Sequence, residues 1–260
     1  MVWSRNIHGN TTRKRGVGAF DALDFAGIVE KAYLSSARPD SFKTKKSFAP
    51  SGLGFGSGTC PRYWFMAFSG VDFEENTDAL GIANMSNGTY VHERLQTLFE
   101  STDILVETER EVLLDSPPIR GFADLIINWE GAEVVGEIKS IKQENYETVK
   151  RTMTGISYHV IQVLLYMKAL GLRDGFLMYE NKNTNEFLVI PISMTPRNKQ
   201  YADYLFEWMT TVHENWKSGI LPTRPFNKSS KQCKYCPIKK ACWGGPAGEI
   251  DLAPLEVREQ

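Results

Sequence analysis

The sequence predicts an α/β or α+β domain in which helices flank a mixed central β-sheet. Two observations predict this class. Segments with helical spacing of apolar residues alternate with segments that read as strands, in the order helix, strands, helix, strands, helix. The first group holds three consecutive strand segments, which favours an antiparallel meander. At 260 residues, the chain is long enough to bury a substantial core, as one large domain or one domain with appendages.

Local signals support each predicted element. Val91, Leu95 and Leu98 fall on one side of a helix. Gly171 is a natural helix stop, and Thr195 followed by proline is a good helix start. The predicted elements are, in order, a helix over about 21–34, a glycine-rich loop over 52–58, a helix over 80–100, strands over 104–114, 121–129 and 132–139, a helix over 156–170, strands over 175–180 and 186–192, and a helix over 196–217.

Composition narrows the class of protein. The chain is 42% hydrophobic and 23% charged, as in ordinary globular proteins. No apolar run approaches the roughly 20 residues of a membrane-spanning helix, and the N-terminus has no apolar segment of a secretory signal. We therefore expect a cytoplasmic protein with no membrane partner.

Charge is distributed unevenly although the net charge is only −1. The segment from Lys217 to Cys242 carries seven cations and no acid, and residues 1–46 carry nine cations against four acids. Binding to phosphates needs local positive potential rather than a basic total. The alternative is that both segments are solvated faces.

Two carboxylates and a lysine define the first candidate site. Asp124 is a lone acid in an apolar strand, and Glu137 and Lys139 end the next strand, after a turn at Glu130-Gly131. A strand interior disfavours acids unless they are paired or bind metal, and alternate strand residues share a face. This set suits phosphodiester hydrolysis, in which a cation held by acids polarises the phosphate and an ammonium steadies the developing charge. The alternative is an exposed hairpin with surface charges.

Two helices carry polar residues that could join this site. His92 lies one position from the apolar stripe of its helix and could face the edge of the core; its alternative is a structural histidine. Gln162 and Tyr166 are four residues apart, so they lie on one helix face. They could reach into a cleft or form a solvated helix edge.

The four cysteines form a second candidate site. Cys233, Cys236 and Cys242 make a Cys-x2-Cys-x5-Cys motif, and Cys60 lies far before it. Four thiolates is the number that zinc or an iron–sulfur cluster requires. A disulfide pairing is disfavoured in a cytosolic chain. Spacing favours an iron–sulfur cluster over zinc, because structural zinc usually uses two Cys-x2-Cys pairs close in sequence; unligated cysteines are the third possibility.

Together these motifs resemble the RecB-type branch of the PD-(D/E)XK nuclease superfamily. More narrowly, they resemble its iron–sulfur members, which are the CRISPR-adaptation nucleases, their phage-encoded relatives and the AddB nuclease domains. The resemblance covers about residues 50–243. Its motifs, in order, are Cys60, Gly88-x3-His92, Gly121-x2-Asp124, Glu137-Ile-Lys139, Gln162-x3-Tyr166 and Cys233-x2-Cys-x5-Cys242. Ala123 departs from the proline that the superfamily name expects, and that proline is often absent from the RecB branch.

The resemblance implies a restriction-endonuclease-like core and specific roles. His92, Asp124, Glu137 and the carbonyl of Ile138 would bind Mg²⁺ or Mn²⁺. Lys139 would position or activate the attacking water and offset phosphate charge, and Gln162 and Tyr166 would orient the site and contact the DNA backbone. The cysteines would hold a [4Fe–4S] cluster, with zinc as the less favoured occupant. The cations expected to contact DNA are Arg62, Lys228, Lys231 and Lys234.

The resemblance also implies a function and a domain plan. We expect a metal-dependent DNA exonuclease that acts on single strands or duplex ends, in the cytoplasm of a bacterium or of a phage host. Its pathway would be replication, recombination, repair or CRISPR adaptation, with a helicase or recombination protein as partner. The alternatives are a non-catalytic DNA-binding or assembly subunit, a structure-specific endonuclease, or a zinc-stapled protein of unrelated chemistry. The expected divisions are an arm over 1–50, a nuclease core over 51–220, a cysteine-rich segment over 221–245 and a tail over 246–260.

Overall fold

A computed structural model describes residues 22–36, 45–74 and 77–258. The chain divides into two compact units. One comprises Met1–Ser41 and Asn76–Asn87, and the other comprises Phe42–Glu75 and Gly88–Gln260. Most of the expected N-terminal arm lies outside the described residues, apart from one helix close to its expected position and residues 45–50. All of the motifs that the sequence singled out belong to the second unit.

The elements follow the predicted order, with two longer helices added. The helices are α1 (Ala22–Ser36), α2 (Pro61–Phe68), α3 (Ala79–Glu100), α4 (Gln143–Thr152), α5 (Ser157–Leu170), α6 (Pro196–Lys217), α7 (Lys231–Lys234) and α8 (Lys239–Gly244). The strands are β1 (Leu105–Asp115), β2 (Pro118–Trp129), β3 (Ala132–Ile141), β4 (Asp174–Asn181) and β5 (Phe187–Ser193). The glycine-rich loop folds into two short 3₁₀ turns. None of the helices in the described part of the chain has the length and apolar character needed to cross a membrane.

The five described strands form one mixed sheet in the order β1-β2-β3-β4-β5. The first three strands pair antiparallel, as the predicted meander requires. β3 and β4 pair parallel, and α4 and α5 make the crossover between them. β4 and β5 close the sheet as an antiparallel pair. The predicted α/β class with a mixed sheet and flanking helices is therefore confirmed.

The two faces of the sheet are covered by different helices. Val91 and Leu95 of α3 pack with strand residues that include Leu125 and Ile138. On the other face, α5 and α6 pack over strand residues that include Val135. Because side chains alternate along a strand, Glu137 points to the same face as Val135, toward α5, whereas Ile138 points toward α3.

The C-terminal residues pack against the core of the second unit. The Leu255 N–H donates to the Thr59 carbonyl at 2.8 Å. Trp208 and Tyr201, both on α6, donate side-chain hydrogen bonds to the carbonyls of Ala253 at 3.0 Å and Glu256 at 2.7 Å. The segment expected as a tail is thus fixed by ordered contacts.

Candidate active site

The site lies where β2 and β3 separate. Their antiparallel register runs from the turn to the pair Leu125–Gly136, and the next opposed residues would be Asp124 and Glu137. Here the Ile138 N–H donates to Asp124 Oδ2, at 2.6 Å. A carboxylate therefore satisfies the peptide group that the departing strand leaves open. This divergence places the two predicted acids side by side at the edge of the sheet core.

The second oxygen of Asp124 faces α3. Asp124 Oδ1 lies 3.2 Å from Nδ1 of His92, a histidine whose side chain is partly exposed. The apolar residues around His92 hold this turn of α3 against the sheet, as Val91 and Leu95 are buried there. The structure therefore brings His92 and Asp124 together, as the sequence predicts.

Glu137 is enclosed by residues of α5 and by its own strand neighbour. Only 1% of Glu137 is exposed. Its Oε1 accepts from the Lys139 ammonium and, at 2.7 Å, from Gln162 Nε2. Gln162 Nε2 is also 3.2 Å from the Tyr166 hydroxyl. Gln162 and Tyr166 are 4% and 2% exposed, so they form the wall of the site and not a solvated helix edge.

The positive charge that the protein places near Asp124 and Glu137 does not fully balance these two carboxyl groups. Burial raises the pKa of the Glu137 carboxyl, and the neighbouring Asp124 carboxylate raises it further, although the Lys139 ammonium opposes both effects. Burial and the charge of Glu137 likewise raise the pKa of the Tyr166 hydroxyl, which keeps that hydroxyl protonated. Glu137 Oε2 is buried and has no hydrogen-bond partner. An orphaned carboxylate oxygen beside a second carboxylate fits a divalent metal ion, for which oxygen ligands are preferred.

The structure adds an acid that the sequence analysis did not single out. Donor atoms of His92, Glu109 and Asp124 all lie within 4.8 Å of one another. Glu109 has a left-handed backbone conformation with φ of 52°. Regular strand alternation assigns Glu109 to the same surface row as its acidic neighbours on β1, so the sequence offered no signal that distinguishes it.

The predicted metal ligands do not all converge on one point. Within the described residues, the group of close donors contains His92, Asp124 and Glu109 but not Glu137. Glu137 lies on the α5 side of Asp124, and the Ile138 N–H is bound to Asp124. Asp124 is therefore the residue that the two halves of the site share.

The four cysteines also come together in space. All are free thiols. Burial, together with smaller effects of the nearby Cys236 and Cys242, raises the pKa of Cys60 to about 12. Burial raises the pKa of Cys236 to about 11, with added effects of Cys233 and Cys242. Cysteines up to 182 positions apart (242 − 60) thus share one partly buried cluster.

Arg62 corrects one sequence-based expectation. The residue is 1% exposed, so it is not available to contact DNA. Its Nη1 donates to the carbonyls of Pro222 at 2.6 Å and Ala247 at 2.9 Å. Its Nη2 donates to the Pro246 carbonyl, and its Nε lies 3.3 Å from Cys242 Sγ. A guanidinium presents five donors in a fixed fork, and here that fork ties α2 to the cysteine-rich segment.

The other predicted DNA contacts are exposed. Lys228, Lys231 and Lys234 lie on the surface of the cysteine-rich segment. Lys234 Nζ is 5.1 Å from the ring centroid of the exposed Tyr235, and Lys228 Nζ is 5.8 Å from that of Trp243. This surface combines cations with aromatic rings.

Comparison with known proteins gives the following similarities. No curated protein sequence matches the chain significantly. Among solved structures, the crystal structure of a protein named SSO0001 is 18% identical with a TM-score of 0.44, covering 87% of this chain and 98% of the other. The alkaline exonuclease LHK-Exo from Laribacter hongkongensis is 12% identical with a TM-score of 0.49, covering 74% and 95%. The same exonuclease in complex with dAMP is 13% identical with a TM-score of 0.49, covering 66% and 89%.

A family model decides the relationship. The model of the PD-(D/E)XK nuclease superfamily matches residues 88–243, which is more than half of the chain. The matched region begins within α3, includes the diverging strands with Asp124 and Glu137, and ends after Cys242. The chain therefore belongs to the PD-(D/E)XK nuclease superfamily.

Proposed function

We propose that the protein is a metal-dependent deoxyribonuclease that acts as an exonuclease on single-stranded DNA or on duplex ends. The observation that carries this proposal is the convergence of Asp124, Glu137 and Lys139 at the point where β2 and β3 separate. Glu137 contributes a buried oxygen without a partner there. A protein that only bound DNA would have no use for two acids at this position, because carboxylates repel phosphates.

The position of each residue in the site indicates its role in the reaction. Asp124 and Glu137 would hold the divalent cation, with His92 as a further ligand. When bound, Mg²⁺ or Mn²⁺ polarises the scissile phosphate and lowers the pKa of a water molecule. Lys139 has a side chain that is 20% exposed, and its ammonium donates to Glu137 Oε1 within the site. There it orients a water molecule for attack and offsets the charge that develops on the phosphate.

Gln162 and Tyr166 act on the metal ligand Glu137 and not on the scissile bond of the substrate. Gln162 fixes Glu137 by its 2.7 Å hydrogen bond and also contacts the Tyr166 hydroxyl. This arrangement limits the rotation of the Glu137 side chain and leaves Oε2 free for metal. Such preorganisation removes the cost of arranging ligands during the reaction.

The decisive test compares the wild type with Lys139→Ala on end-labelled single-stranded DNA. We expect the wild type to degrade linear DNA when Mg²⁺ or Mn²⁺ is present, and Lys139→Ala to be at least about a hundredfold slower because a charge at the reacting phosphate is lost. The matched control is Lys142→Ala, because Lys142 is an exposed lysine three positions away. A circular single strand should resist an exonuclease.

Each outcome has a defined meaning. If no DNA form is cut by the wild type, the protein is not a nuclease and the DNA-binding or assembly role replaces it. If Lys139→Ala cleaves DNA as fast as the wild type, Lys139 does not belong to the active site. Efficient cleavage of circular DNA shows an endonuclease.

We also propose that the four cysteines hold a [4Fe–4S] cluster. The thiols lie near one another, because the pKa of Cys60 responds to Cys236 and Cys242 and that of Cys236 responds to Cys233 and Cys242. Three cysteines in a Cys-x2-Cys-x5-Cys motif and a fourth far away in sequence favour an iron–sulfur cluster, because structural zinc usually uses two Cys-x2-Cys pairs close in sequence. When bound, the cluster would fasten α7 and α8 to the loop at Cys60.

Cys233→Ala tests the cluster. Protein purified without oxygen is expected to be brown, with iron at roughly four atoms per chain. Cys233→Ala should lose the iron and the colour, and its DNA binding should weaken together with its stability. The control is Ser229→Ala, which changes an exposed residue of the same segment. Zinc in place of iron, or a stable and fully active Cys233→Ala protein, would reject the proposal.

The cysteine-rich segment supplies the proposed DNA track. Lys228, Lys231 and Lys234 provide phosphate contacts, and Tyr235 provides a ring on which a base could stack. This combination favours single-stranded DNA because unpaired bases expose their faces. Duplex substrates would require unwinding by a separate helicase or recombination protein.

A further inference from the structure

Glu109 has a backbone conformation that a surface glutamate does not need. Its φ of 52° lies in the left-handed region, which L-residues other than glycine, asparagine and aspartate seldom adopt. On β1, its neighbours Thr108 and Arg110 pair with Leu125 and Ala123 of β2. Glu109 therefore lies opposite Asp124, and its strained conformation occurs at the position facing the active-site acid.

Gln96 holds the Glu109 carboxylate at this position. Gln96 Nε2, on α3, donates to Glu109 Oε1 at 2.5 Å and to the Asp124 carbonyl at 3.1 Å. One side-chain amide thus connects the strand that carries Glu109 to the strand that carries Asp124. A neutral donor therefore orients the carboxylate of this exposed residue.

The charge of Glu109 is not neutralised as those of its neighbours are. Glu107 pairs with Arg110 at 2.6 Å, and Glu111 pairs with Arg120 at 2.8 Å. Among the described residues, no arginine or lysine forms an ion pair with Glu109. Within the described residues, Glu109 and Asp124 therefore lie together without an ion pair to a lysine or an arginine.

The three donors lie close enough together to converge on one metal ion. Ligand atoms about 2.1 Å from an octahedral ion lie about 3 Å apart when adjacent and about 4.2 Å apart when opposite. The donor atoms of His92, Glu109 and Asp124 all lie within 4.8 Å of one another, so side-chain shifts of a few tenths of an ångström would bring them into this range. Independently, Glu137 presents its buried, unpartnered Oε2 on the other side of Asp124. Asp124 therefore lies between Glu109 and Glu137, and a bound cation would stabilise each of these carboxylates.

We propose that Glu109 is a metal ligand that, with His92 and Asp124, forms a cation position on the α3 side of Asp124, in addition to the position beside Glu137. This inference rests on the proposed function and specifies its metal requirement as two ions that share Asp124. Two ions allow one to act on the attacking oxygen and the other on the leaving oxygen of an in-line displacement. The imidazole favours Mn²⁺ over Mg²⁺ at the α3-side position.

Manganese binding tests the inference without reference to cleavage. The free Mn²⁺ signal in electron paramagnetic resonance is titrated against the full chain, in wild type, Glu109→Gln and Glu111→Gln. The wild type should bind two equivalents, and Glu109→Gln should weaken one of them by at least about tenfold, since even residues behind the ligands cost that much when lost. Glu111→Gln is the matched control, because it removes an exposed acid from the same strand, and should bind as the wild type does.

Glu109→Gly separates metal binding from folding. Glycine adopts positive φ without strain, so the metal-free variant should unfold at the same temperature as the wild type or higher. The rise in Tm that Mn²⁺ causes should shrink, because less binding free energy is available to the folded state. Unchanged Mn²⁺ affinity and stoichiometry in Glu109→Gln would overturn the inference whether or not the protein cuts DNA. Loss of one Mn²⁺ equivalent from a protein that cuts no DNA would keep the metal site and reject only the nuclease function.

Discussion

Asp124→Asn is expected to reduce the cleavage of single-stranded DNA by at least about a thousandfold, a larger loss than that expected for Lys139→Ala. Both oxygens of Asp124 are in use. Oδ2 accepts from the Ile138 N–H, and Oδ1 faces His92. Asparagine can keep the first hydrogen bond with its carbonyl oxygen. Its NH₂ group would then point toward His92 and the proposed metal, where a donor cannot serve as a ligand.

The same exchange should leave the metal-free fold intact. It removes a negative charge from beside the buried Glu137, whose pKa that charge helps to raise. Thermal unfolding without metal should therefore occur at the wild-type temperature or slightly above it, and the stabilisation by Mn²⁺ should disappear. Asp115→Asn is the control, because Asp115 is an exposed acid at the end of β1. A metal-free Asp124→Asn protein that is unfolded, or one that cuts DNA at the wild-type rate, would contradict this account of the site.

Arg62→Ala is expected to cost at least about 3 kcal/mol of unfolding free energy, since hydrogen bonds to charged groups contribute about 1.5–3 kcal/mol each. The exchange leaves the carbonyls of Pro222, Pro246 and Ala247 without their donor. It also opens a cavity where an almost fully buried side chain was packed. Arg62→Lys should recover only part of the loss, because an ammonium cannot reproduce the planar fork.

Urea unfolding measures this prediction. The control is Arg197→Ala on the exposed side of α6, which should change stability by no more than about 0.5 kcal/mol. If Arg62→Ala were as stable as the wild type but bound DNA weakly, the role in DNA contact that the sequence suggested would be restored. If the stability and the DNA binding of Arg62→Ala fall together, the structural role of Arg62 is supported.

The parts of the fold that depend on local signals could be predicted from the sequence. The turn at Glu130 and Gly131 forms where the sequence indicates it, and both residues have positive φ, as a tight hairpin turn requires. Thr195 caps α6 by accepting from the Asn198 N–H, and Gly171 ends α5 in the left-handed conformation. Such features involve residues a few positions apart, so the sequence contains all of the information.

Helices α2 and α4 were not predicted, for opposite reasons. Almost every residue of α2 is buried, so its aromatic run has no polar face to reveal a helical period. In α4, only Tyr146 and Val149 are buried, which is too few to define an apolar stripe. Periodicity detects helices that lie between these extremes.

Within the site, sequence motifs identified residues whose chemical type is unusual for their element. Asp124 in an apolar strand is one example. Glu109 was missed because three alternating glutamates look equivalent until a change in φ turns one of them toward Asp124. The burial of Arg62 could not be predicted, because its hydrogen-bond partners are 160 to 185 residues away. Contacts at that separation leave no trace in a local pattern.

The Arg62 fork also constrains the order in which the protein can be made. During translation, α2 leaves the ribosome long before residues 222–247, which provide the acceptors of its guanidinium. Until those residues emerge, the guanidinium of Arg62 has no acceptor and the thiol of Cys60 has no neighbouring cysteine. The position of Arg62 is almost fully buried in the folded protein. Contacts between residues so far apart in sequence form slowly and late in folding. Completion of this domain therefore requires residues 222–247, and ribosome-bound chains that stop before residue 222 should remain sensitive to proteases and to thiol oxidation.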